Sequence, residues 1–274
     1  MGSIAVNTQA VAVEQFYEKS IMTTFHGGWS LAGFFGALIG LLCINLQFET
    51  LTHFLLIFGL IVINTLWNFN YLVPKIDHSS KLKSKNKFKP DALLIQLGAI
   101  GFCSMATEGA MFDWTGVYFK DIVKSPTSLV ILGYTSFMIC MAIGRFLGDY
   151  LINKLGKKKV LLISGCLMFT GMMLSVLFPY VITASIGFML VGFGVACCVP
   201  TVYSLAGKHN KIPPGMAIAL VSSISFLGFL LGPPLIGFIA EVFGLQWSFT
   251  LFSFFGLGMV GLVSFSKLFK STEE

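Results

Sequence analysis

The chain has 274 residues, of which 55% are hydrophobic and 11% are charged, and its formal net charge is +6. A water-soluble domain carries about 25% charged residues, so this composition excludes a soluble globule and makes lipid the main solvent. The positive charge does not indicate nucleic-acid binding, because the lysines are scattered between apolar runs. We therefore expect an all-α polytopic membrane protein.

The chain opens with a short apolar stretch, Met1–Val13, that is too short to span a bilayer. It lacks the basic start and the small-residue cleavage site of a signal peptide, so we interpret residues 1–14 as the end of a truncated transmembrane helix. About eight full spans follow, each close to the roughly 20 apolar residues that cross a hydrocarbon core. They are Trp29–Leu46, Phe54–Val73, Leu93–Phe119, Leu129–Ile152, Val160–Phe178, Val181–Ala206, Ala217–Ala240 and Trp247–Phe265.

A polar segment, residues 74–92, separates the second span from the third and carries lysines at positions 75, 81, 83, 85, 87 and 89. We interpret it as a basic cytoplasmic loop between two bundles. Residues 15–73 would supply the last two helices of the N-terminal bundle, and residues 93–274 the C-terminal six-helix bundle.

Basic residues alternate strongly between the two sides of the predicted spans. If the N-terminal segment is cytoplasmic, the inner connections and the tail hold fifteen lysines, and the outer loops hold only Lys120 and Lys124. The positive-inside rule then predicts that both termini lie in the cytoplasm.

The residues that could support metal or redox chemistry do not cluster. The six cysteines lie in apolar stretches without paired CxxC spacing, so we interpret them as buried apolar side chains. The four histidines sit at or beyond the ends of spans, too dispersed for metal-ligand spacing. We therefore expect no metal, no cofactor and no enzymatic activity.

Two carboxylates, Glu108 and Asp113, stand inside the third span, where ionisable groups are costly and usually functional. Glu108 lies roughly 23 Å from the inner end of its run, and the two side chains point about 140° apart around the helix, so they do not share a proton. We predict that Glu108 contacts a substrate or a proton; a structural hydrogen bond to a neighbouring helix is the alternative. Asp113, beside Trp114, is more typical of an interface anchor.

Several further polar side chains are candidates for solute contact. Hydroxyls in membrane helices more often bond back to their own helix or to a neighbour, and this alternative stays open for each of them. His26 can likewise be a solute contact, or a cap or interface residue at the start of its span. Besides His26, the candidates are Gln96, Thr107, Tyr134, Thr201, Tyr203 and Ser222.

Prolines interrupt the sixth and seventh spans. Proline kinks a helix and frees a carbonyl, so Pro233 and Pro234, with Gly232 and Gly237, predict a flexing element in the seventh span.

Four segments carry a resemblance to a known family: Asn7–Glu14, Phe25–Ser30, Gly144–Asp149 with Gly156–Lys159, and Gly232–Gly237. Together with the order of spans they resemble the major facilitator superfamily, and within it the YbjJ-like bacterial branch related to the fucose permeases. The resemblance implies two six-helix bundles around a central cavity and alternating access. This chain would lack helices 1–3 and most of helix 4 of that fold.

The resemblance also implies a function. The expected activity is secondary transport of a small solute, such as a sugar or related metabolite, across the bacterial inner membrane, with a proton or another cation as coupling ion. The alternative is a non-transporting, truncated fragment of such a transporter.

The resemblance assigns a gating loop motif, whose members are Gly144, Arg145, Gly148, Asp149, Gly156, Lys157 and Lys158. Asp149 would meet the positive end of the helix that begins near Gly27 and Gly28. Arg145 lies one turn from Asp149, so the two can contact each other. Asn7 matches a substrate-site position of the fucose permeases, although Ser3 stands where those proteins have an acidic residue.

Overall fold

The computed structural model describes residues 2–17, 19–72, 91–209 and 212–266. All regular structure within these ranges is helical, with two short 3-10 turns at Phe69–Tyr71 and Thr127–Leu129. Residues 74–90 of the predicted central loop, with Lys211, Lys267 and Lys270, lie outside the described residues. The helices are α1 (Gly2–Glu14), α2 (Met22–Asn45), α3 (Thr50–Asn68), α4 (Ala92–Asp121), α5 (Ile131–Leu155), α6 (Lys157–Leu177), α7 (Val181–Ala196), α8 (Cys198–Gly207), α9 (Pro214–Phe243) and α10 (Leu245–Ser264).

The all-helical, membrane-spanning class is confirmed. Seven helical segments in the described ranges are long and apolar enough to cross a bilayer. The first predicted span corresponds to α2, which has 24 residues and begins at Met22 rather than at Trp29. A span boundary that is set by hydropathy misses the first turns of α2, because they contain threonines, a histidine and glycines.

The sixth predicted span is two helices rather than one. α7 ends at Ala196, and α8 begins after Cys197. Pro200 explains the break, because a proline has no N–H for the carbonyl four residues earlier, which here belongs to Ala196. Proline is tolerated in the first turn of the new helix, where that donor is not required.

Close packing of small residues holds α4 against α9. A Cβ added to Gly232 would lie 2.5 Å from the carbonyl oxygen of Ala106, and one added to Gly109 would lie 2.7 Å from that of Phe229. The two backbones therefore approach as closely as glycine allows, as is common between membrane helices. Pro233 leaves the Phe229 carbonyl without its usual partner in the helix, so this contact forms where the α9 ladder is already interrupted.

Two glycines make the tight connections between consecutive helices. Gly156 joins α5 to α6 with φ of 83°, and Gly244 joins α9 to α10 with φ of 88°. Residues with a Cβ rarely adopt this left-handed region, so glycine permits helix–helix connections of a single residue.

The helices differ in how much of their surface the chain covers. α4 buries most of its length, including Ile100, Ala106 and Met111. α3 has no buried side chain at all, although its composition is that of a membrane span. The core of the described structure therefore lies among α4–α10, with α1 and the first half of α2 packed against it.

Candidate functional site

A buried ion pair joins α4 to α5. Nη2 of Arg145 donates to Oε1 of Glu108 over 3.1 Å, and the two side chains are only 5% and 7% exposed. Isolated charges at this depth would be strongly destabilising, and the hydrogen-bonded pairing offsets part of that cost for both groups. Glu108 was predicted as a substrate or proton contact, with a structural hydrogen bond to a neighbouring helix as the alternative, and its bond to Arg145 of α5 is such a contact; Arg145 was predicted as part of a gating motif. Their pairing was not anticipated.

Arg145 also reaches the first half of α2. Its Nη1 donates to Oγ of Ser30 over 2.6 Å, and its guanidinium lies 5.7 Å from the centroid of the Trp29 ring. The third nitrogen, Nε, is buried and has no hydrogen-bond partner among the described residues. The expected contact between Arg145 and Asp149 does not form, because each side chain has other partners.

His26, Asn7 and Tyr203 extend this cluster toward α1 and α8. Nε2 of His26 lies 3.2 Å from Oδ1 of Asn7, and since the amide oxygen only accepts, the imidazole is the donor. The His26 ring lies 6.2 Å from the Tyr203 ring, centroid to centroid. The Tyr203 hydroxyl is buried without a partner in the described ranges. His26 lies in the second turn of α2, so it is not a helix cap.

We call these side chains the central cluster; its members are Asn7, His26, Trp29, Ser30, Glu108, Arg145 and Tyr203. They come from α1, α2, α4, α5 and α8. Contacts link the members: Ser30 Oγ accepts from Arg145 and donates to the His26 carbonyl over 3.3 Å, and the His26 ring faces that of Tyr203. Four residues predicted as solute candidates thus meet in one place: Asn7, His26, Glu108 and Tyr203.

Asp149 receives the first turn of α2. Its Oδ1 accepts from the backbone N–H of Thr23 over 3.1 Å, and its Oδ2 accepts from that of Thr24 over 2.7 Å. A carboxylate here satisfies two donors that the helix itself leaves open and lies at the positive end of the helix dipole. The helix start is at Met22, so Gly27 and Gly28, named in the sequence-based expectation, lie one turn further along.

Gly148 makes this contact possible. A Cβ at this position would lie 2.7 Å from Sγ of Cys197 and 2.9 Å from Oγ1 of Thr23, so only glycine lets α5 approach both α8 and α2. Gly144, one turn earlier, lies similarly close to Ala196. These two glycines of the predicted loop motif are therefore packing positions.

Ser20 and Glu14 add further contacts between the α1–α2 region and helices α5 and α8. Asn153 Oδ1 accepts from the backbone N–H of Ser20 over 2.8 Å, and Asn153 Nδ2 donates to the Ser20 carbonyl over 3.1 Å. Glu14 is fully buried; it accepts from Ser20 Oγ over 3.1 Å and from Ser204 Oγ over 2.6 Å.

Two lysines lie beside Glu14. Nζ of Lys208 is 3.7 Å from Oε2 of Glu14, and Nζ of Lys157 donates to Oγ of Ser204 over 2.8 Å. Lys157 thus contacts Ser204, which itself donates to Glu14. Such a contact is more specific than the positive-inside rule alone requires of a lysine. We call this second network the inner seal; its members are Glu14, Ser20, Thr23, Thr24, Asp149, Asn153, Lys157, Ser204 and Lys208.

The other predicted polar candidates bond locally. Thr107, Thr201 and Ser222 each donate to a carbonyl of their own helix. Gln96 donates to the Leu262 carbonyl and accepts from Ser266, which ties α4 to the end of α10. The Tyr134 ring packs 6.0 Å from that of Phe112. None of these five joins the central cluster by a contact within the described residues.

The Gly-Pro segment of α9 borders a recess near the other end of α4. Trp114 Nε1 donates to the Pro233 carbonyl over 3.0 Å, and the Trp114 ring lies against Gly237. The recess has a volume of about 570 Å³ and is lined by Asp113, Trp114, Val117, Phe229, Leu230, Pro233 and Pro234. Asp113 is exposed there, whereas Glu108, five residues earlier on the same helix, is buried.

Sequence reasoning missed several functional side chains of both networks. Asn153 carries no pattern that distinguishes it from other polar residues in a span, and Ser30, although it ends the family-like segment Phe25–Ser30, was not singled out. Glu14 did carry a signal, because an acidic residue at the end of an apolar helix needs a partner. Lys208 and Ser204, its partners, are 190 or more residues away and could not be assigned from the sequence.

Comparison with known proteins gives consistent matches. The family profile described as Major Facilitator Superfamily matches residues 1–213 and 125–273. An uncharacterized MFS-type transporter of Yersinia pestis is 34% identical over 250 residues, which cover 90% of this chain and 64% of that protein. An uncharacterized transporter of Sinorhizobium fredii is 30% identical over 257 residues, 92% of this chain and 67% of that protein.

A third relative, the membrane protein MosC of Rhizobium meliloti, is 29% identical over 247 residues, 88% of this chain and 59% of MosC. The chain therefore spans 59% to 67% of the length of these three curated relatives.

Two solved structures share the fold. The crystal structure of the E. coli fucose:proton symporter FucP matches with a TM-score of 0.54 and 19% identity, over 64% of this chain and 43% of that one. The human organic anion transporter MFSD10 also matches with a TM-score of 0.54 and 19% identity, over 68% of this chain and 44% of that one. At this identity the likeness concerns the fold alone.

Proposed function

The chain belongs to the major facilitator superfamily, and from that premise we propose that it forms part or all of a secondary active transporter that moves a small solute by alternating access. The observation that carries this proposal is the position of the central cluster directly beside the inner seal. Arg145 and Asp149 lie one turn apart on α5, with one facing Glu108 and the other the start of α2. A change at the solute site can therefore reach the contact that closes the molecule.

The two networks join the same two parts of the chain. α1 and α2 supply Glu14, His26 and Thr23, whereas α4, α5 and α8 supply the residues that face them. We assign α1–α3 to one bundle and α4–α10 to the other, with residues 74–92 as the connecting loop. Rocking of one bundle on the other would open the inner seal and expose the central cluster to that side.

The proposed location is the bacterial inner membrane, with the inner seal and both termini on the cytoplasmic side. Lys157 and Lys208 lie at the seal, and Lys120 and Lys124 lie at the opposite end of α4, as the positive-inside rule requires. Single cysteines at Lys154 and Lys124, both exposed, test this with a membrane-impermeant maleimide in intact cells. The position-124 thiol should react and the position-154 thiol should not; the reverse pattern contradicts the orientation.

Transport itself can be tested without knowing the solute. Cells that express the chain are fed a uniformly ¹³C-labelled metabolite mixture, and intracellular compounds are compared with those in cells expressing a double variant, Glu108→Gln with Arg145→Gln. The double variant removes both charges together, so no buried charge is left unpaired. At equal membrane abundance, we expect at least one labelled compound to accumulate only with the unaltered chain. Identical profiles would contradict the proposed function.

A further inference from the structure

The ion pair of the central cluster uses only half of the guanidinium edge that faces it. Nε and Nη2 of an arginine lie on the same edge and form a fork that fits the two oxygens of a carboxylate. Here Nη2 donates to Glu108 over 3.1 Å, whereas Nε has no partner among the described residues. Arg145 is only 4% exposed, so its Nε–H is a buried donor without an acceptor.

Tyr203, in the same cluster, also has a buried hydroxyl without a hydrogen-bond partner among the described residues. The Tyr203 side chain is 2% exposed, and its hydroxyl has no partner in the part of the chain that the structure describes. Buried donors of this kind are uncommon in native proteins, because each one loses its hydrogen bonds to water and gains none in return. Among the six buried side-chain atoms without a partner in the described residues, Arg145 Nε alone belongs to a charged group, and it shares its cluster with the Tyr203 hydroxyl; we take this pair as the place where a ligand supplies acceptor atoms.

The chemistry of the two groups selects the class of ligand. A guanidinium has no acceptor, and its fork is better satisfied by two oxygens of one carboxylate than by single hydroxyls. The inference that follows from this chemistry rests on the proposed transport function and names its class of solute. We propose that the solute carries a carboxylate, which binds the Nε–Nη2 edge of Arg145 and displaces Glu108, with the Tyr203 hydroxyl as a further donor.

Displacement of Glu108 has a consequence for charge. The pair is neutral before binding, and an anion that takes the guanidinium leaves a second carboxylate in a site of low dielectric. Two buried negative charges against one positive charge are strongly unfavourable. Glu108 therefore takes one proton from the solution, and the site stays neutral. The solute carboxylate and the proton are bound together, and the O–H of Glu108 is the one covalent bond that forms.

The test compares matched probes on the purified chain in lipid nanodiscs. Each pair consists of an acid and a neutral counterpart: lactate with lactamide, benzoate with benzamide, and galacturonate with galactose. Binding is followed by Trp fluorescence and by the thermal midpoint, and proton uptake is followed with a pH dye in weak buffer. We expect at least one acid to bind, its counterpart to bind roughly tenfold or more weakly, and uptake of about one proton per acid bound.

Variants assign the effect to the named groups. Glu108→Gln should keep acid binding and abolish proton uptake, since no carboxylate remains to be protonated. The double variant Glu108→Gln with Arg145→Gln should lose acid binding at least roughly tenfold without leaving an unpaired buried charge. Lys154→Gln, an exposed change on the same helix, serves as the matched control and should behave like the unaltered chain.

Each outcome either supports or overturns the proposal of a carboxylate solute. Acid binding that is insensitive to the double variant, or that proceeds without proton uptake, overturns the proposal. If the neutral probes bind as well as the acids and depend on both charged residues, the solute is not an anion, but the transport site stands. If none of the probes binds, the anion proposal is rejected; the labelled-metabolite experiment then decides separately whether the chain transports.

Discussion

The central cluster and the inner seal are built from similar residues but differ in how completely they are paired. In the inner seal, Asp149 accepts from two backbone donors and Glu14 from two serine hydroxyls, with Lys208 beside it. In the central cluster, Arg145 and Tyr203 each keep a buried donor without a partner among the described residues. Among the described residues of the seal, the Thr23 hydroxyl is the one buried side-chain group without a partner, and it is uncharged.

This difference separates a contact that holds the molecule together from one that is ready for a ligand. A satisfied network favours one conformation, because every charged group loses partners when it opens. A network with unpaired donors gains free energy from whatever supplies the missing acceptors. Arg145 and Asp149 lie one turn apart on α5 and so connect the central cluster with the inner seal. Because the two networks differ in how completely they are paired, the variants below should affect them unequally.

The largest effect on stability is expected from breaking the buried ion pair on one side. Arg145→Gln leaves Glu108 without its partner in a buried site, where the carboxyl must either stay charged or take up a proton, so the free energy of unfolding should fall by up to about 3–5 kcal/mol. Thermal denaturation in nanodiscs measures this. The double variant with Glu108→Gln should recover most of the loss, and a double variant as unstable as Arg145→Gln would show that the pair is not the cause.

Glu14→Gln should have the next largest effect. The amide keeps the shape of the side chain but loses the charge that Lys208 and the two serine hydroxyls face, at a cost of about 1.5–3 kcal/mol. Because the loss falls on the seal, we expect lower stability together with faster amide exchange of Ser20 and the first turn of α2. Slower or unchanged exchange there, despite lower stability, would argue against a sealing role.

Asp149→Asn should open the seal at a smaller cost, about 1–2 kcal/mol, because the carboxylate charge at the start of α2 is lost while one acceptor remains. Cys197 reports this opening, since its thiol is buried beside Gly148. Mass spectrometry after maleimide treatment should find several-fold more label on Cys197. Cys198, which is buried against Met259 of α10 rather than against Gly148, is the internal control and should stay protected.

Tyr203→Phe should produce the smallest change in stability and the clearest separation of the two networks. Its hydroxyl has no partner to lose, so stability should stay within about 1 kcal/mol of the unaltered chain or rise slightly. Solute accumulation in the labelled-metabolite assay should nevertheless fall several-fold. Tyr180→Phe, at an exposed tyrosine, should change neither quantity; full transport by Tyr203→Phe would exclude a solute contact for this hydroxyl.

The sequence predicted the parts of this account that depend on local pattern. The all-helical class and the approximate positions of most spans followed from hydropathy and charge. The family motif placed the contact of Asp149 at a helix start near Gly27 and Gly28, and the structure places it one turn earlier, at Thr23 and Thr24. The pairing of Glu108 with Arg145 did not, because the residues are 37 positions apart on different helices and each had a separate interpretation. The predicted start of the first span was also wrong, because the polar first turn of α2 is helical, with Asp149 accepting from the N–H groups of Thr23 and Thr24.

The most direct test of the central claim is a distance measurement across the inner seal. Spin labels at Tyr17→Cys and Lys154→Cys, both exposed, are placed in a Cys166→Ser background that removes the exposed native thiol. Electron–electron double resonance in nanodiscs should give a short and a long distance, with Asp149→Asn shifting most molecules to the long one. A single distance that Asp149→Asn leaves unchanged would contradict alternating access through this seal.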